Sequence, residues 1–247
     1  MTYKKTDLNS KNIGLATNIK DEMQKKLTKE NLIKEAQLFC VEQSKFQHKE
    51  LYGVTDGKAV GTLIEQKFQA HLKSKYDVTV GSSAKGIDLP SEDILTDIKV
   101  TSNKQPQSSC PFRDAKQKIF GLGYNLLVFV YDKTDAPESQ TSILNFVSCS
   151  FVSKERTADF TTTSILNEMK KVGANEADII AFLEGIKLPA DEIALKQIAQ
   201  IILTIEIPIG YLTISNALQW RLQYARIRDL KNDIPGIDKI ISYNKPE

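Results

Sequence analysis

Histidine is close to absent from this chain: His48 and His71 are the only two among 247 residues. No cluster of histidines is available for a metal finger, so any hydrolytic chemistry falls to carboxylates and lysine. Cysteine is scarce as well. Cys40, Cys110 and Cys149 are odd in number and lack CxxC spacing, which argues against a zinc site or a disulfide framework and for free thiols in a reducing compartment. No apolar run reaches the ~18 residues a membrane span needs, and the opening MTYKKTDLNSKN has no signal-peptide core, so a cytoplasmic protein without membrane contact is expected. A GxxxxGK(S/T) loop is missing, so no nucleotide cofactor is expected. Nor is one sign of charge in excess. Lys plus Arg number 33 and Asp plus Glu 31, so affinity for a polyanion would have to come from where charges lie and not from their sum.

With 41% hydrophobic and 26% charged residues, the chain can bury the core of one large domain or two small ones. Residues 18–46 carry helical periodicity through Met23, Leu27, Leu32, Ala36 and Phe39. Val60, Ile64, Phe68 and Leu72, at i, i+4 spacing, predict an amphipathic helix ending near Tyr76. A short strand DVTV follows. Ile94, Thr96, Ile98 and Val100 then alternate with Leu95, Asp97, Lys99 and Thr101, which is strand periodicity. YNLLVFVYDK reads as a buried central strand and ILNFVSCSFV as a further strand. This order predicts an α/β (α+β-like) fold, a central mixed β-sheet flanked by helices. From Thr163 the pattern is helical in TTSILNEMKKVG, NEADIIAFLEGI, DEIALKQIAQIILTIEI and SNALQWRLQYARIRDLKN, before a strand or extended tail. The expected division is an N-terminal helical region at 1–57, a core at 58–162, and a mainly helical C-terminal region at 163–247.

Metal-assisted phosphodiester hydrolysis needs carboxylate oxygens to hold a divalent cation and a positive group near the attacking water. Asp88 in a turn, with Asp97 and Lys99 two apart on the next strand, supplies that set. The bare pattern (D/E)xK is weak evidence, because it occurs six times, at Asp56, Glu65, Asp97, Asp114, Glu168 and Asp229. Glu65, Asp114, Glu168 and Asp229 read as helical, where i and i+2 diverge, and Asp56 lies in a glycine turn. At Asp97 alone does strand alternation join an upstream aspartate and a downstream basic helix. Apolar flanking strands suggest an interior strand, where an unused Asp–Lys pair would be costly; the competing reading is the solvent face of an edge strand.

The run GIDLPSEDILTDIKVTS resembles the hairpin of the PD-(D/E)xK nuclease superfamily, with Asp88 in place of its first aspartate and Asp97-Ile98-Lys99 in place of (D/E)xK; the family's proline before Asp88 is absent. The resemblance spans residues 58–131, within the 58–162 core, and points to type II restriction endonucleases. It implies that Asp88, Asp97 and the Ile98 carbonyl bind Mg²⁺, that Lys99 orients or helps deprotonate the water, and that Glu65 on the preceding helix joins the metal site. It also implies double-stranded DNA as substrate, 5′-phosphate products and a homodimer matching a palindromic site. Two alternatives stay open: a repair or recombination nuclease of the same superfamily, and a non-catalytic DNA-binding protein.

The polar loop at 102–112 offers Lys104, Gln105, Gln107, Ser108 and Ser109 to phosphates or base edges, and Arg113, Lys116 and Lys118 form a basic helix start suited to phosphates. The helix expected over 215–232 sets Gln219, Gln223 and Arg226 on one side as DNA contacts, with Arg221 and Arg228 among apolar residues on the other. An ordinary buried helix whose arginines pair with carboxylates fits the same pattern. Trp220 and Tyr224 read as core.

Overall fold

The computed structural model describes residues 25–81, 86–110, 113–215 and 220–244. In chain order the elements are β1 (Lys25–Lys26), α1 (Lys29–Gln43), β2 (Gln47–His48), α2 (Gly57–Lys73), β3 (Tyr76–Asp77), β4 (Thr96–Ser102), β5 (Gln107–Cys110), α3 (Gln117–Phe120), β6 (Asn125–Ala136) and β7 (Thr141–Val152). There follow α4 (Phe160–Lys171), α5 (Glu176–Gly185), α6 (Glu192–Thr204), β8 (Thr213–Ile214), β9 (Trp220–Gln223), α7 (Ala225–Arg228) and β10 (Ile237–Ile241). Among the described residues no helix is long and apolar enough to cross a membrane.

The central sheet has the order β10-β7-β6-β4, with β2 added against β7. β4 runs parallel to β6, and the β6–β7 and β7–β10 pairs are antiparallel, so the sheet is mixed, as the element order predicts. β6 explains why this sheet is buried on both faces. Its Leu127, Phe129 and Tyr131 join the core under α1 and α2, while Leu126, Val128 and Val130 join a second core on the opposite face. The first core is aromatic at its centre: the Phe68 ring lies 5.0 Å from Phe39 and 5.1 Å from Phe129 in edge-on contacts.

Two expectations need correction. β4 is the terminal strand of the path and not an interior one. It is nonetheless covered, because α2 and the 86–95 segment lie where a further strand would pair; at Gly61 a Cβ would stand 3.3 Å from the Val100 carbonyl oxygen. Helix also gives way to strand in the last third. α4, α5 and α6 stand where helices are expected and bury Leu166, Ile179, Leu183, Ile198 and Ile202 together. The stretch 215–232, however, contains β9 and the four-residue α7. β9 pairs antiparallel with β5 and β8 in a small sheet, and β5 falls in what reads as a loop. The cause is tertiary: Trp220, Leu222 and Tyr224 alternate onto the second core, and that burial outweighs the helical preference of Ala, Leu, Gln and Arg.

Glu35 fastens α1 to the end of α2. Buried, it accepts hydrogen bonds from Lys75 at 2.7 Å, His71 at 2.8 Å and the Tyr76 hydroxyl at 2.9 Å. Burial alone would raise its carboxyl, but those donors outweigh it and hold it at about 2. A carboxyl below its ordinary value contributes stability that is complete above the unfolded pKa and is lost as pH falls through the folded one. Lowering the pH from about 5 to about 2 is therefore expected to destabilise the wild type more than Glu35→Gln, as read by denaturant unfolding at successive pH values.

Candidate active site

Strand parity decides what β4 presents. Ile98 and Val100 turn to the core beneath α1 and α2, so Asp97 and Lys99 turn the other way. There they meet Asp88, Glu65 and Arg113 around a cavity of about 200 Å³, floored by Cys110 and Tyr124. Asp88 arrives on a short turn closed by a Leu89–Thr96 bridge, with backbone hydrogen bonds of 2.9 and 3.0 Å. Its Oδ2 accepts the Ile98 N–H at 2.7 Å. A strand residue sends its N–H and C=O to the same side, so the Ile98 carbonyl also faces this open edge of β4. Glu65 comes from α2, one turn after the close approach at Gly61.

The cavity gathers negative charge. Burial pushes the Asp97 carboxyl up to about 7; Lys99, with its Nζ 2.7 Å from Asp97 Oδ2, works against that shift, and Asp88 adds to it. Asp88 is raised as well, first by burial and further by Glu65. For Lys99, burial disfavours the ammonium, but Asp97, Asp88 and Glu65 outweigh it and hold the charge. The Asp88 and Asp97 carboxyls lie close enough to influence each other, Asp88 adding to the rise at Asp97.

The donor set suits a hard divalent cation. Among the described residues no three Asp, Glu, His or Cys side chains form a ready metal cage. A magnesium-like ion does not require one, since it is held by one or two carboxylates and keeps several waters. Two neighbouring carboxyls, with a backbone carbonyl on the same strand edge, meet that need, and a bound cation would offset the burial that raises both.

The structure brings Glu65, Asp88, Asp97, Lys99, Ser109 and Arg113 to the cavity. Lys104, Gln105, Gln107 and Ser108 line the adjoining cleft, which shares Glu65, Lys99 and Ser109 with the cavity. Other expected contacts lie elsewhere. Lys118 is buried and donates to the Ile214 carbonyl at 2.8 Å, so it does not face a phosphate. Ser108 directs its hydroxyl inward, 2.5 Å from that of Tyr224, because it is on the core side of β5. Lys116 lies against Gln197 and Gln200 of α6, and the Arg226 guanidinium stacks on Phe160 at 3.7 Å. Gln223 points outward from β9; Gln219, like Pro111 and Phe112 of the polar loop, is outside the described residues. Sequence reasoning missed Gln69. Its side-chain amide donates to Asp88 Oδ1 at 3.1 Å and to Glu65 Oε1 at 3.4 Å, tying helix to turn. The available signal was its i+4 spacing from Glu65 on α2.

A mixed sheet flanked by helices, with an acidic pair and a lysine at the edge of its terminal strand, defines a restriction-endonuclease-like protein. The family model described as type II restriction enzyme NspV matches residues 26–239. The type II restriction enzyme NspV of Nostoc sp. (strain ATCC 29411 / PCC 7524) is 51% identical over 211 residues, covering 85% of this chain and 95% of that protein. No solved structure matches. The chain belongs to the NspV family of type II restriction enzymes.

A carboxyl raised above its unfolded value makes the native state bind the extra proton, so its contribution to stability falls as pH rises between the two values. For Asp97 that window runs from 3.8 to about 7. Asp97→Asn, which keeps the shape and removes the titration, is expected to melt at a higher temperature than the wild type in chelator at about pH 8, with the gap closing towards about pH 4. An unchanged gap across that range would remove the electrostatic account of the pair.

Proposed function

We propose that this protein is a type II restriction endonuclease that hydrolyses double-stranded DNA at a specific short sequence with Mg²⁺, leaving 5′-phosphate and 3′-hydroxyl ends. The observation that carries the reading is Asp88, held by the Ile98 amide, beside the Asp97–Lys99 ion pair in a cavity next to a cleft along β4. Family membership supports the same reading and favours restriction over repair.

In this account Asp88, Asp97 and the Ile98 carbonyl would hold the metal, with the Glu65 carboxylate beside them. The chemistry a bound Mg²⁺ would supply there is Lewis-acid stabilisation of the charge that develops on the scissile phosphate. Gln69 holds the Asp88 and Glu65 carboxylates in place. Lys99, kept charged by its acidic neighbours, orients the attacking water and stabilises the hydroxide character it acquires as it adds to phosphorus and the bond to the 3′-oxygen breaks. Arg113, exposed at the cavity mouth, and Lys104 along the cleft hold the DNA backbone. Three free, buried thiols suit a reducing cytoplasm, and a homodimer suits a palindromic site.

Supercoiled plasmid is expected to be nicked and linearised in Mg²⁺ and left intact in chelator. Lys99→Ala and Asp88→Ala are each expected to lower that rate by at least roughly a hundredfold while DNA binding, read by gel shift in Ca²⁺, is retained. Undiminished cleavage in both variants would overturn the site assignment.

A further inference from the structure

The small sheet has two unlike faces. Inward, Trp220, Leu222 and Tyr224 are fully buried in the second core. Outward, the register sets Gln107 opposite Gln223 and Ser109 opposite Arg221, so four hydrogen-bonding side chains form two adjacent cross-strand pairs on one surface. None of the four side chains has a hydrogen bond or ion pair among the described residues. Arg221 in particular has no carboxylate partner among the described residues. The composition is unusual for a merely solvated face, where Lys and Glu would be typical: it holds two amides, a hydroxyl and a guanidinium.

The location adds a second argument. Gln107, Ser109 and Arg221 line the same cleft, of about 770 Å³, as Glu65 and Lys99. A duplex placed for cleavage at Asp88 and Asp97 therefore passes this surface. B-DNA's major groove admits a two-stranded β-ribbon, and the outward set matches its code: arginine reaches guanine O6 and N7 in bidentate fashion, glutamine reaches adenine N6 and N7, and serine pairs with either.

Building on the nuclease reading above, we infer that the β5–β9 ribbon is the base-reading element of the enzyme. Arg221 reads a guanine, and Gln107 and Gln223 read adenine, in the major groove beside the scissile bond. The ribbon is held from behind. The Ile214 N–H donates to Asp159 Oδ2 at 2.7 Å and its carbonyl accepts from Lys118, which fixes β8, and the Tyr224 N–H donates to the Pro106 carbonyl at 2.8 Å. Such rigid support is what discrimination between bases requires.

The test uses duplexes carrying the site mapped by wild-type digestion, in which guanines or adenines are replaced singly by their 7-deaza analogues, which lack the N7 acceptor. Binding is measured by fluorescence anisotropy in Ca²⁺. One 7-deazaguanine is expected to weaken wild-type binding by roughly five- to hundredfold, and Arg221→Ala to bind the unmodified site about that much more weakly with no further loss from the analogue. Gln223→Ala is expected to cancel a 7-deazaadenine penalty in the same way. The inference is overturned if no analogue weakens the wild type, or if both variants keep every penalty and lose affinity equally for the site and for an unrelated duplex, as phosphate contacts would. A wild type that cuts no DNA in Mg²⁺ would instead refute the nuclease reading on which this one rests.

Discussion

The Ile98 amide lies on the open edge of β4, where no neighbouring strand accepts its hydrogen bond, and Asp88 Oδ2 accepts it at 2.7 Å. A half-buried backbone donor left unmet would cost about 1–3 kcal/mol, so the carboxylate does structural work before any chemistry is considered. The bond has three consequences. It places Asp88 against Asp97, it leaves the Ile98 carbonyl facing the same edge, and it stops the sheet from growing, so that the edge becomes a cleft. Gln69 on Asp88 Oδ1 and Lys99 on Asp97 complete a ring of polar contacts around two carboxyls that burial raises.

The rest of the molecule serves to keep that edge in place with a cleft beside it. One face of β6 packs on α1 and α2, which brings Glu65 and Gln69 to the site, and the other packs on β9, which turns Arg221 and Gln223 outward. Buried polar groups lock these layers together. Asp159 caps α4 through the Thr162 N–H and also accepts the Ile214 N–H, while Arg228 donates to the Asn103 carbonyl and side chain at 3.0 and 2.8 Å, steadying the turn after β4.

Much of the site was legible because strand alternation is a local signal. Asp97 and Lys99 share a face for the same reason that Ile98 and Val100 share the other, whereas Gln69, four residues after Glu65 on α2, went unread although helical spacing sets the two side by side. What escaped reading depends on contacts distant in sequence. Lys118 looks like a surface cation until Ile214, ninety-six residues on, is seen to claim it. β5 has no β-branched or aromatic residue to mark it, and becomes a strand only because β9 pairs with it. In β9 the alternation Trp220, Leu222, Tyr224 was present in the sequence but sat among strong helix formers. The turn into β4 places Leu95 at φ 31, a left-handed conformation for which leucine carries no signature.

The central claim is that Asp88 and Asp97 act as one cation-holding pair at the edge of β4. Crystals soaked in Mn²⁺ and measured at the manganese absorption edge test it most directly. The account predicts an anomalous peak between the two carboxylates and the Ile98 carbonyl, lost in Asp97→Asn. A peak elsewhere in a protein that cleaves DNA with Mn²⁺, or one unchanged in that variant, would contradict it.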